Sequence, residues 1–192
     1  MSDLPTKSSL RADLRRARRT LVPALARAEA AATVAALSIW LADRPGVALA
    51  SYAALAGELD LAALHAPRWA SGLPVWLPSV RGDALDWHPV TASIQLRPGA
   101  FAVPEPDPGQ VPARALPASA VVLVPGVGFG SDGRRLGQGG GFYDRFLAAH
   151  RGPTIGIGFT CQRRDDLPLE AHDHPVAGVL LGGSWLRHPT EP

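Results

Sequence analysis

The segment Val121–Leu147, VVLVPGVGFGSDGRRLGQGGGFYDRFL, decides how this chain is read. It opens as a continuous apolar run ending in proline, passes through a glycine-dense loop, and closes on a helix-compatible stretch. Gly137, Gly139, Gly140 and Gly141 place four glycines within five residues. Glycine loses more backbone freedom on folding than any other residue, so this density implies a backbone that approaches something closely. Successive N–H groups in such a loop form a concave nest for anions, and a helix starting behind it adds its positive dipole end. A phosphate-bearing ligand is the natural tenant; an ordinary flexible surface loop is the competing reading.

Neither general nucleotide fingerprint is present. A Walker A loop needs Gly-Lys-Ser or Gly-Lys-Thr, which the chain lacks, and the dinucleotide fingerprint GxGxxG fails because Gly137-Gln138-Gly139 is followed by Gly140, Gly141 and then Phe142. Working outward, Leu10, Leu14, Ala17 and Leu21 recur on one face of a helix, and Lys7, Arg11, Arg15 and Arg18 project together on another. Pro23 opens a second, alanine-rich helix to about Ala42, stopped by Asp43-Arg44-Pro45-Gly46. Strands are expected at 47–52, 74–77, 85–90, 121–124, 154–159 and 176–181, with helices at 60–70 and 142–149. The proline-rich segment 97–117 reads as an irregular surface loop. Apolar strands alternating with helices predict an α/β fold: a single three-layer, Rossmann-like domain over 1–192, with a mostly parallel central sheet flanked by helices and a basic N-terminal helix.

At 192 residues and 46% hydrophobic content the chain supports one self-sufficient core rather than a disordered segment. A single cysteine, Cys161, excludes an internal disulfide and CxxC-type zinc sites. No apolar run is expected to reach the ~18 residues that cross a bilayer, so a soluble, cytoplasmic protein is predicted. Net charge is only +2, with the positive charge concentrated in the first 30 residues. Such an arm suits nucleic acid, a nucleotide, or simply a solvated helix face. Arg15, Arg16, Arg18 and Arg19 are assigned to the solvated face. His172 and His174 flank Asp173 in an HxH pattern, but no second ligand cluster supports zinc, and they read as surface histidines.

The stretch Val124–Leu147 resembles the 5-formyltetrahydrofolate cyclo-ligase (5,10-methenyltetrahydrofolate synthetase) family. The likeness extends over nearly the whole chain, through KSSLR (7–11), GELDLAAL (57–64), FAVPEP (101–106), IGIGFTCQ (155–162) and LPLEAHD (167–173). Gly130, Gln138, Phe142 and Ala177 depart from residues common in that family. The resemblance implies ATP-dependent cyclisation of 5-formyltetrahydrofolate to 5,10-methenyltetrahydrofolate with Mg²⁺, so the partners are small molecules, with no nucleic acid, no membrane, and a monomeric protein. It implies ATP contacts from Lys7, Arg11 and Arg135 and from Leu136, Gly137, Gln138, Gly139, Gly140, Gly141, Phe142 and Tyr143. Catalytic roles fall to Lys7, Arg135 and Tyr143, folate contacts to Glu58, Phe101 and Tyr143, and metal ligation to Asp144 and Asp173. The residue types suit those roles: carboxylates are hard ligands for Mg²⁺, and a glutamate accepts paired hydrogen bonds from a pterin edge. Two alternatives stand beside it: a relative that activates another N-acyl substrate, and a nucleic-acid-binding module driven by the arginine-rich helix.

Overall fold

The structure, a computed structural model, describes residues 5–98 and 104–189. Its helices are α1 (Lys7–Arg19), α2 (Pro23–Ala42), α3 (Ala62–Ala70) and α4 (Phe142–Ala149). Its strands are β1 (Leu49–Ala50), β2 (Val75–Arg81), β3 (Ala84–Val90), β4 (Leu96–Pro98), β5 (Pro104–Pro106), β6 (Val121–Pro125), β7 (Gly128–Phe129), β8 (Arg135–Leu136), β9 (Thr154–Gly158), β10 (Gly178–Leu181) and β11 (Ser184–Arg187). The main sheet runs β11-β10-β9-β6-β1-β2-β3. Its five inner strands are parallel, and an antiparallel hairpin closes each edge. Counted in chain order, the parallel strands lie 2-1-3-4-5, a doubly wound arrangement. The chain reverses its direction of travel across the sheet between β1 and β6, and such folds bind ligands in the crevice beyond the carboxyl ends of the strands at that reversal.

Alternation along β6 shows how the sheet is sandwiched. Val121 and Leu123 face a core built with Leu37 and Leu41 of α2 and Leu64 of α3. Val122 and Val124 face the opposite core, with Phe129 and Leu147 of α4. In β9, Gly156 takes an inward position because the Phe129 ring occupies its space; a Cβ there would lie 2.5 Å from the ring. Helix α1 packs separately, its buried Leu10 and Leu14 against Val127, Leu136 and Leu167. That packing sets α1 across the loop that follows β6.

Three expectations change. The strand predicted at 176–181 is not the last: β11 follows it through Gly182 and Gly183, whose φ of +56° and +88° make a two-residue hairpin turn. The proline-rich segment is not wholly irregular, since β5 pairs with β4 and Arg114 bridges to Trp87. Prolines are tolerated there because the pair lies outside the main sheet. Finally, α2, at 20 residues with a mean hydropathy of 1.3, is long and apolar enough to cross a bilayer. The helix nonetheless buries Thr33, Leu37 and Leu41 at fourfold spacing against the sheet layer, and Glu29 accepts a 2.8 Å hydrogen bond from the Thr160 N–H.

His65 of α3 is buried, with Nε2 2.8 Å from the Ser51 hydroxyl at the end of β1. Burial pushes its imidazole from the ordinary 6.5 down to about 4. The folded state therefore holds it neutral while the unfolded chain binds a proton, so stability falls as pH drops from about 6.5 to about 4. The loss expected from His65 is on the order of 3 kcal/mol. Urea unfolding across that window is predicted to show a shallower decline for His65→Gln than for the parent. Equal slopes would contradict a neutral, buried His65.

Candidate functional site

Beyond the carboxyl ends of β1 and β6, two cavities share one wall. The larger, about 780 Å³, is mostly apolar and is bordered by Tyr52, Glu58, Pro78, Leu85, Phe142 and Tyr143 among others. The smaller, about 270 Å³, is polar and is bordered by Lys7, Arg11, Glu170, His172 and Asp173. Arg135, Gly137, Gly141 and Asp144 line both. The glycine loop is thus a partition, with different chemistry on its two sides.

Its conformation explains its composition. Gly139 and Gly141 have φ of +113° and +69°, which side-chain-bearing residues rarely adopt. At Gly140 a Cβ would come within 2.6 Å of the Phe142 ring. Gly141 is the N-cap of α4 and offers no side-chain cap, so the first-turn N–H groups of that helix lack an intrahelical partner. With the helix dipole, they favour an anion.

A loop this bare needs external support, and the stripe of cations on α1 supplies it. Arg11 Nε donates to the Gly137 carbonyl at 2.9 Å. Arg15 donates to the Gln138 carbonyl at 3.2 Å and to its side-chain oxygen at 2.7 Å. Arg18 lies against Glu58. The Arg18 side chain is therefore buried and not part of a solvated face, against the reading from sequence; Arg15 is half-buried, its bonds to Gln138 made at the surface, and Arg16 is exposed and paired with Asp13. The partners of Arg15 and Arg18 lie far away in sequence, which periodicity does not reveal. From behind, buried Gln162 donates to the carbonyls of Gly126 and Val127 and fixes the start of the loop.

Lys7 and Arg135 are paired with carboxylates inside the site. Arg135 reaches it from β8, with its side chain only 3% exposed. One nitrogen donates to Asp144 Oδ1 at 2.8 Å, while its Nε is buried without a hydrogen-bond partner. Lys7 Nζ donates to both oxygens of Asp173, at 2.8 and 2.6 Å, and lies 3.2 Å from Glu170. Burial alone would raise the Asp173 carboxyl, but the Lys7 hydrogen bonds and the Glu170 N–H outweigh it and hold the carboxyl below the ordinary range. The Tyr143 hydroxyl is closed off from solvent and makes no hydrogen bond. Burial first, then the Glu58 charge, raises its pKa well above that of a free phenol. Glu58 sits in the turn before α3 and does not cap that helix; its Oε2 accepts from the Leu55 N–H and its Oε1 from the Gln138 amide at 3.3 Å.

The structure thus brings Lys7, Arg11, Arg135, Gly137, Gly139, Gly141, Asp144 and Asp173 around the polar cavity, and Glu58, Gln138, Gly140, Phe142 and Tyr143 onto the apolar one. Leu136 turns its side chain into the α1 core and borders the polar cavity. Phe101 lies outside the described residues. His172 is exposed, as expected, and Cys161 is half-buried. Sequence reasoning missed Tyr52, the β2 residues Pro78–Val80, and Pro104 and Glu105, which give the proline-rich segment a place in the wall of the cleft.

A sequence model of the 5-formyltetrahydrofolate cyclo-ligase family matches residues 3–182. The 5-formyltetrahydrofolate cyclo-ligase of Mycolicibacterium smegmatis is 33% identical over 190 residues, covering 91% of this chain and 93% of that protein. That of Haemophilus influenzae is 28% identical over 190 residues, covering 92% and 97%. Among solved structures, the 5,10-methenyltetrahydrofolate synthetase of Aquifex aeolicus superposes with a TM-score of 0.79 at 28% identity, covering 97% of this chain and 94% of that one. The 5,10-methenyltetrahydrofolate synthetase of Mycoplasma pneumoniae, at 20% identity and a TM-score of 0.70, shares the fold over 94% of this chain and 100% of that one.

The left-handed N-cap makes a direct prediction. Gly141→Ala introduces a Cβ at φ +69° and 2.7 Å from an Arg145 guanidinium nitrogen, and is expected to cost about 1–2 kcal/mol in denaturant unfolding. A change within about 0.5 kcal/mol, the level of an ordinary surface substitution, would contradict that backbone conformation.

Proposed function

The chain belongs to the 5-formyltetrahydrofolate cyclo-ligase family, and from that premise we propose that it cyclises 5-formyltetrahydrofolate to 5,10-methenyltetrahydrofolate with ATP and Mg²⁺, releasing ADP and phosphate. One observation carries the proposal: an apolar cleft holding a carboxylate and a polar cavity holding cations meet at a shared glycine wall. A reaction between a flat heterocycle and a triphosphate needs both compartments, with the reacting atoms at their junction.

The chemistry follows from the substrate. A formamide carbon is a poor electrophile, and its oxygen is a poor leaving group. Attack of the formyl oxygen on the γ-phosphorus forms an O–P bond and breaks the bond to ADP. The N10 nitrogen then adds to the activated carbon, closing the five-membered ring and losing its proton, and the C–O bond breaks to release phosphate. Positioning and charge stabilisation account for most of the catalysis in such a transfer. In this assignment the glycine-loop N–H groups and Arg135 hold the phosphates, with Lys7 and Arg11 alongside. Glu58 accepts hydrogen bonds from the pterin, and Tyr143 and Phe101 line the folate.

Asp144 and Asp173 suit a Mg²⁺ carried in on ATP. Among the described residues no group of three or more His, Cys, Asp or Glu could hold a metal, and Mg²⁺ typically takes one or two carboxylates with phosphates and waters. Asp144 fits more directly, since Arg135 engages only its Oδ1. Asp173 has both oxygens on Lys7, so its use requires Lys7 to move from carboxylate to phosphate. When bound, the metal neutralises charge on the transferring phosphoryl group. Engagement of Arg11 and Arg18 within the fold speaks against the nucleic-acid alternative. We assign a soluble, cytoplasmic, monomeric enzyme acting on small molecules.

Purified protein is expected to develop the near-ultraviolet absorbance of the methenyl product only with ATP, Mg²⁺ and 5-formyltetrahydrofolate all present. Asp144→Asn is expected to bring turnover to background with an unchanged circular dichroism spectrum. A folded parent that gives no product would overturn the activity, and near-parental turnover by the variant at saturating Mg²⁺ would overturn the metal assignment.

A further inference from the structure

Lys7, Arg11, Arg15 and Arg18 form a helical stripe whose members contact, in turn, Asp173, the Gly137 carbonyl, Gln138 and Glu58. The last of these has no exposed role. The Arg18 and Glu58 side chains are only 9% and 7% exposed, and Arg18 Nη1 lies 3.9 Å from Glu58 Oε1. That nitrogen is shut off from solvent and makes no hydrogen bond. Arg18 does not border the apolar cleft, whereas Glu58 does. The guanidinium thus approaches the carboxylate without itself bordering the cleft.

Burying a carboxylate costs several kcal/mol unless an opposite charge compensates. The other groups on Glu58, the Leu55 N–H and the Gln138 amide, orient it without bringing a full charge. Arg15, which borders the same apolar cleft, is hydrogen-bonded to the neutral Gln138. Arg18 lies at ion-pair distance from that buried carboxylate. A carboxylate accepts through both of its oxygens and so pairs with an edge of two donors. The amino group and ring N–H of a pterin form such a two-donor edge.

We propose that Arg18 is a positioning residue for the pterin subsite: it acts through Glu58, holding that side chain as a double acceptor aimed into the apolar cleft, and contributes nothing to the nucleotide side. The inference rests on the function proposed above, and binding of 5-formyltetrahydrofolate measured by calorimetry without ATP separates the two. For Arg18→Met, the dissociation constant and KM for the folate are expected to rise about tenfold or more, the scale of a lost charge-assisted contact. KM for ATP and kcat at saturating folate are expected to stay at parental values. Arg18→Lys is expected to recover part of the loss. In a Glu58→Gln background, Arg18→Met is expected to add nothing.

Unchanged folate affinity in Arg18→Met, or the same loss again in the Glu58→Gln background, would overturn the proposal. Should Arg18→Met fail to fold, Arg18→Lys decides: a loss confined to the folate supports the role, and no loss or an equal loss for ATP overturns it. A parent that binds the folate without turning it over refutes the reaction and leaves the Arg18 comparison intact. A parent that does neither overturns both.

Discussion

A backbone stripped of side chains can approach a ligand closely, but it has little of its own to hold it in place. That tension governs this molecule. Gly139 and Gly141 adopt left-handed conformations, and Gly140 makes room for the Phe142 ring. The loop's order comes from outside: Arg11 and Arg15 grip its carbonyls from α1, Gln162 fixes the preceding turn, and Arg145 donates to the Gly140 carbonyl. Using carbonyls as anchors leaves the N–H groups, the anion-binding half of each peptide, uncommitted to those grips.

The fold places this loop where it matters. Because β2 and β6 leave β1 on opposite sides, the sheet opens a crevice at its carboxyl edge, and the glycine loop divides that crevice into an apolar and a polar half. Short strands suffice for the task. β1 contributes only two residues to the ladder, yet Tyr52 and Glu58 follow directly from it into the cleft. Helix α1 crosses the same edge, so one amphipathic helix packs Leu10 and Leu14 below and spans both cavities with its cationic stripe.

Much of this was legible in the sequence. Pro23 and the segment Phe142–Ala149 marked helix boundaries that the structure reproduces, because a proline at a first turn and a glycine run ahead of an apolar stretch are local signals. The alternation of strands and helices carried the fold class. What escaped was non-local. Nothing near Arg15 or Arg18 indicates that their partners are Gln138 and Glu58, and the pairing of Lys7 with Asp173 joins the two ends of the chain. β11 was announced by Gly182-Gly183, a turn signal that was there to be read. Within the family, the residues in doubt are those whose side chains, not backbones, face the cavities: Gln138, which bridges Arg15 and Glu58, and Phe142, which packs on Gly140.

In the proposed reaction the glycine wall grips a triphosphate on its polar side. The most direct measurement is a crystal structure of the protein with a non-hydrolysable ATP analogue and Mg²⁺. The terminal phosphate should lie within hydrogen-bond distance of the backbone N–H groups at Gly139–Gly141, flanked by Lys7 and Arg11, with the metal on Asp144. A nucleotide bound away from that loop, with Asp144 still committed to Arg135 alone, would contradict it.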